Sequence, residues 1–137
     1  MAEAATVEEL VAAARDARVR ARATYSNFPV GAAVRCADGR IFQGCNIENA
    51  SLGLTMCAER VALFSAVAAG CHHITAIAIA GPGSDPLSPC GACRQVMLEL
   101  APDADVILAG DEEHRVYTVA DLLPDAFGVA DLGDSAE

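Results

Sequence analysis

The chain has 137 residues, 53% hydrophobic and 20% charged, a length and balance that suit one globular domain and argue against disorder. Its net charge is −10, and all nine basic residues are arginine, which excludes chemistry needing a lysine Schiff base or a P-loop lysine. No apolar run approaches the roughly 20 residues of a membrane helix, and Met1–Ala4 lack the basic and apolar regions of a signal peptide. A cytoplasmic chain with no membrane partner is therefore expected, in which the six cysteines read as thiols or metal ligands rather than disulfides.

In chain order, Thr6 and Glu9 form a T-x-x-E capping pattern. Apolar residues at Val7, Leu10, Val11, Ala14, Ala17 and Ala21 then predict an amphipathic helix over 7–23. Arg15, Arg18, Arg20 and Arg22 lie on it and read as a solvated face. Tyr25-Ser26-Asn27-Phe28-Pro29 breaks the helix, since the residue before a proline avoids the helical region. Val30–Ala37 and Arg40–Ile47 read as strands joined at Asp38-Gly39, a two-residue hairpin signal. That register sets Cys36 opposite Ile41 and Cys45 opposite Ala32, both as small buried residues.

Residues 57–69 read as a second helix ended by Gly70. Ile74–Ala80 reads as a buried strand, and Gly81–Ser88 as a loop. Pro89 opens a third helix, about Cys90 to Leu100. Val106–Ala109 and Arg115–Tyr117 read as short strands, and Thr118 caps a short helix through Leu123. Residues 129–137 are small and acidic and read as a flexible tail. The alternation predicts an α/β layered fold, with helices covering a sheet and residues 1–137 forming one domain. Residues 96–137 hold eleven acids and only Arg115, so this third carries the whole net charge. Such a chain repels a phosphate backbone, and no nucleic-acid partner is expected.

Two pieces carry chemistry: Cys57-Ala58-Glu59-Arg60 and Pro89-Cys90-Gly91-Ala92-Cys93. Both cysteine positions fall at predicted helix starts, where thiol pKa values are lowered and thiolates favoured. Three thiolates leave the fourth tetrahedral position of zinc for water, the catalytic arrangement. C-x-x-C alone also fits a thiol-redox pair. Cys57 followed by Glu59 resembles instead the known pattern of zinc deaminases, which implies a glutamate that is not a ligand and moves protons. Positions i and i+2 do not share a helix face, so Cys57 has to lie at the very start of its helix.

At these residues the chain resembles the small zinc-dependent cytidine deaminases of pyrimidine salvage. Tyr25-Ser26-Asn27-Phe28-Pro29-Val30-Gly31-Ala32-Ala33, Gly44-Cys45-Asn46-Ile47-Glu48-Asn49-Ala50 and Leu122-Leu123-Pro124-Asp125-Ala126-Phe127 extend the likeness over residues 7–128. The resemblance implies a three-layer α-β-α sandwich around a central mixed sheet of about five strands. It implies one zinc per chain on Cys57, Cys90 and Cys93, with Glu59 as the catalytic proton shuttle. Asn46 and Glu48 would bond the ribose hydroxyls, and Phe28 would pack on the pyrimidine. The Ala58 N–H and Ser88 C=O would read the base edge. Arg60 would offset the charge of the thiolates, and Phe127 would reach a neighbouring subunit's site in a homotetramer. Leu52 stands where many relatives carry a tyrosine near the 5′ hydroxyl. The implied reaction is deamination of free cytidine and 2′-deoxycytidine. Another small aminopyrimidine nucleoside, or a non-catalytic zinc or thiol module, are the alternatives.

Overall fold

The structure is a computed structural model that describes residues 6–136. Thr6 caps α1 (Val7–Arg18), its hydroxyl accepting the Glu9 N–H at 3.1 Å. The helix stops short of residue 23 because the following backbone bonds elsewhere. The Arg22 N–H donates to Asn46 O and the Glu48 N–H donates to Arg22 O, both at 2.9 Å. The rest follows as β1 (Gly31–Cys36), β2 (Ile41–Cys45), α2 (Ala58–Ala68), β3 (Ile74–Ala80), α3 (Gly91–Leu100), β4 (Asp105–Leu108), β5 (Arg115–Thr118) and α4 (Val119–Leu122). A capping box of Thr118 and Asp121 starts α4. Residues Val129–Ala136 form 3₁₀ turns interrupted at Gly133.

The five strands form one sheet in the order β2-β1-β3-β4-β5. Only β3 and β4 are parallel, so the sheet is mixed, as the resemblance implies. Alternation along the strands builds two different faces. Ala33, Ala76, Ala78, Ala80, Ile107 and Ala109 meet Leu10, Val11 and Ala14 of α1. Ala32, Val34, Ile77, Ile79, Val106 and Leu108 meet Ala58, Ala62, Leu63 and Ala66 of α2 and Cys93 and Met97 of α3. The alanine-rich face lets α1 lie close, and the bulkier face carries the two helices that begin with the motif cysteines.

Three expectations are corrected. The hairpin pairs Arg35 with Ile41 and Gly31 with Cys45, one residue away from the predicted register. The Cys36 N–H donates to Arg40 O at 2.8 Å, which leaves the three-residue loop Ala37-Asp38-Gly39, with Gly39 at φ 96°. A three-residue loop needs a left-handed last residue, and glycine supplies it without strain. Pro89 lies just before the α3 cap rather than inside the first turn. Finally, Cys36 and Cys71 are not free thiols but a disulfide. The fold brings the end of β1 and Cys71, three residues beyond the end of α2, to the same buried edge, where both cysteines are under 10% exposed.

Candidate active site

Cys57 is the N-cap of α2 and Cys90 the N-cap of α3, each with extended backbone. Neither side chain caps its own helix, so both sulfurs are available for other partners. Cys93 follows in the first turn of α3 and is fully buried. Because Cys57 precedes the helix proper, Glu59 in the first turn can turn toward the same point, which removes the i, i+2 difficulty. Gly44 in β2 permits this placement. A Cβ there would stand 2.4 Å from both Ala58 O and Ala62 N, so the α2 backbone rests directly on the strand.

The three sulfurs lie within 4.8 Å of one another, and no other His, Cys, Asp or Glu among the described residues completes a larger group with them. Cys57 Sγ is 3.8 Å from Cys90 Sγ, which is 3.4 Å from Cys93 Sγ. A tetrahedral zinc with Zn–S bonds of about 2.3 Å spaces its sulfurs about 3.8 Å apart, so the donor set fits that ion. The Arg60 guanidinium donates from Nη2 to Cys57 Sγ at 3.4 Å, while its buried Nε has no hydrogen-bond partner. Positive charge is thus held against the sulfur cluster. The Cys57 thiol is pulled down to about 5, first by the hydrogen bond from Cys93 and further by Arg60. The same Cys57–Cys93 bond, with burial, pushes Cys93 up. Glu59 is only 5% exposed. Burial raises its pKa above the ordinary carboxylate range, and the neighbouring Cys57 charge adds to this.

A cleft of about 370 Å³ adjoins this cluster. Phe28, Asn46, Glu48, Cys57, Ala58, Glu59, Ser88 and Cys90 all line it, so the fold assembles most of the residues singled out in the sequence. Asn46 accepts the Val30 N–H at Oδ1 and donates from Nδ2 to Phe28 O, both at 2.9 Å. The Glu48 carboxylate accepts the Tyr25 and Ser26 N–H groups at 2.9 and 3.1 Å and the Ser26 hydroxyl. These contacts, the Ser26 hydroxyl first, hold Glu48 below the usual carboxylate range. Phe127 does not line this cleft; it is 59% exposed, with its carbonyl bound by Gln95 at 2.8 Å. Leu52 is 72% exposed and is likewise outside the cleft lining.

Sequence reasoning did not single out Ser26, Thr55 and Leu87, which also line the cleft. Nor did it assign Arg94, which donates to Pro89 O, Leu122 O and Ser88 Oγ at 2.9, 2.6 and 2.6 Å. Arg94 therefore pins the loop before α3 to the start of that helix. The serine two residues before Phe28 was the one readable signal, since a hydroxyl there can accept a local backbone N–H.

The family model described as "Cytidine and deoxycytidylate deaminase zinc-binding region" matches residues 4–109. The chain belongs to this deaminase family. It is 47% identical over 135 residues to a cytidine deaminase of Sporosarcina psychrophila, covering 96% of this chain and 98% of the relative. A crystal structure of cytidine deaminase from Burkholderia pseudomallei is 54% identical, with a TM-score of 0.86, over 90% of this chain and all of that one. The cytidine deaminase structure from Mycobacterium tuberculosis is 38% identical with a TM-score of 0.80, over 90% and 98% of the two chains. The mixed sheet flanked by helices is thus the cytidine deaminase fold, and within the matched zinc-binding region the chain carries a three-cysteine cluster suitable for a single zinc ion. Among the described residues no helix is long and apolar enough to cross a membrane.

Proposed function

We propose that the chain hydrolyses free cytidine and 2′-deoxycytidine to uridine and 2′-deoxyuridine with release of ammonia. Cys57, Cys90 and Cys93 hold one zinc, which when bound supplies Lewis-acid activation of the attacking water. The observation that carries the reading is the buried Glu59 beside the three sulfurs, in a cleft that also presents Asn46 and Glu48. A non-catalytic zinc or thiol module gives no reason to bury a carboxylate there at the expense of its charged form.

As oxygen attacks C4, Glu59 takes a proton from the water and delivers it to ring N3. It then moves the second proton to the amine as the C4–N bond breaks. A carboxyl with a raised pKa suits both directions of transfer. The Ala58 N–H lies in the first turn of α2, where amides lack intrahelical acceptors, and so is free to meet the base edge along with the Ser88 carbonyl. Phe28 packs on the pyrimidine, and Asn46 and Glu48 bond the ribose hydroxyls. Three thiolates and a divalent cation sum to −1, and Arg60 with the two helix N-termini offsets that charge.

The whole chain acts as one domain in this reading, in the cytoplasm, as a homotetramer with shared sites. Support for sharing comes from Phe127, which is exposed and does not line its own cleft, while its backbone carbonyl is held by Gln95 of α3. The test is the ultraviolet change when purified zinc-loaded protein meets cytidine, read beside Glu59→Gln. Turnover by the wild type and a loss of about 10²–10⁴-fold in the variant, with zinc content kept, supports the reading. A wild type holding one zinc per chain that leaves cytidine unchanged refutes it.

A further inference from the structure

The loop between α1 and β1 is bound at both ends to the two polar residues that follow β2. Asn46 holds Phe28 O and Val30 N, whereas Glu48 holds the Tyr25 N–H, the Ser26 N–H and the Ser26 hydroxyl. Asn27, between Ser26 and Phe28, has φ 55°, so the chain turns sharply there. The Ser26 oxygen is used twice: it donates to Glu48 Oε2 and accepts the Phe28 N–H at 3.1 Å. A single hydroxyl thus connects a carboxylate and an aromatic residue that line the same cleft.

The division of labour on Glu48 is uneven. Both backbone N–H groups bond Oε1, and only the Ser26 hydroxyl bonds Oε2. No arginine among the described residues forms an ion pair with this carboxylate. The last side-chain torsion of glutamate is broad and has no strong preference of its own. Its orientation is therefore set from outside, and at Oε2 by Ser26. A carboxylate offers about four lone-pair positions. Three are occupied by the loop, which leaves capacity for one donor from the cleft. Removing the hydroxyl keeps the charge and the Oε1 contacts but frees Oε2 to turn toward water.

We infer that Ser26 is a positioning residue that aims the Glu48 carboxylate at the sugar and so sets the preference for nucleosides that carry ribose hydroxyls. The inference rests on the proposed sugar role of Glu48. Its test compares kcat/KM on cytidine with kcat/KM on 2′,3′-dideoxycytidine for wild type, Ser26→Ala, Ser26→Thr and Glu48→Gln. The ratio of the two values is internal to each preparation, so partial misfolding lowers both substrates alike and does not alter it. In Ser26→Ala the ratio falls about tenfold, through KM, as expected for loss of one charge-assisted hydrogen bond. Ser26→Thr retains the hydroxyl and keeps the ratio within about threefold of wild type. Two results overturn the inference alone: equal losses on both substrates in Ser26→Ala, or an unchanged ratio where Glu48→Gln lowers it. A wild type that turns over both substrates equally removes the sugar role of Glu48 and this inference with it. A wild type that turns over neither refutes the proposed function itself.

Discussion

Replacing Gly44 with alanine tests whether the contact between β2 and α2 positions the chemistry. The new Cβ would stand 2.4 Å from Ala58 O and Ala62 N, about 1 Å inside the 3.4 Å at which ordinary contact begins. Both atoms belong to the α2 backbone on successive turns, so no side chain can swing away and the helix itself has to move. Gly44 has no positive φ, so alanine adopts its backbone without strain and the effect is steric. Overpacking of this kind costs about 1–3 kcal/mol, reduced by roughly 0.4–1 kcal/mol because alanine restricts the unfolded chain. A net loss of ~1–2 kcal/mol leaves the protein folded, with Cys57 and Glu59 displaced by up to ~1 Å relative to Cys90 and Cys93. Misplacement of about that size lowers kcat/KM by roughly 10²-fold. The assay combines thermal melting, zinc per chain and cytidine turnover. Gly83→Ala serves as the control, since a Cβ there meets nothing within 4 Å. A Gly44→Ala protein that keeps full zinc and turns over cytidine like the control would refute the argument that this contact sets the site.

The Cys36–Cys71 disulfide closes a loop that contains Asn46, Glu48, Cys57, Glu59 and Arg60, at a sequence separation of 35. A loop of this length corresponds to about 4 kcal/mol in the chain-entropy estimate, so reductant, or Cys36→Ala with Cys71→Ala, lowers Tm markedly. Identical melting with and without reductant, or thiol titration of the unfolded metal-free chain that finds all six cysteines free, contradicts this. Glu48 has a pKa below its unfolded value of about 4.3. Its contacts therefore stabilise the fold above that value, and the contribution is lost as pH falls through the lower folded value. The Tm difference between wild type and Glu48→Gln is accordingly present at pH 7 and narrows below about pH 4; a gap that widens in acid opposes this. Arg60→Gln reduces activity or zinc retention more than Arg22→Gln does, because Arg60 donates to the Cys57 sulfur whereas Arg22 has no such contact among the described residues; equal effects measured by turnover and metal content rule that out.

Much of the fold was legible because local chemistry and tertiary context agree. The T-x-x-E cap, the ITAIAIA strand and the Thr118 cap each carry their signal within a few residues, and the structure places them where that signal points. The three clustered cysteines were legible for the same reason: their spacing, the helix starts and the glutamate two residues on are all features of sequence. Where the reading missed, a competing long-range bond decided. The segment after Arg18 has helical apolar spacing, but its backbone bonds to Asn46 and Glu48. The hairpin dipeptide was recognised, but the register depended on Ala37 joining the loop.

By itself, the sequence determined the order of elements, the three motif cysteines, the glutamate two residues after the first of them, and the net charge of −10. These follow from residue type and short spacing, which no later contact can change. Tertiary structure alone decided that Cys36 meets Cys71, that Gly44 seats α2 on the sheet, and that Ser26 faces Glu48. Each joins residues at least 14 positions apart in the chain, and only the packing of strands, helices and loops brings such partners together.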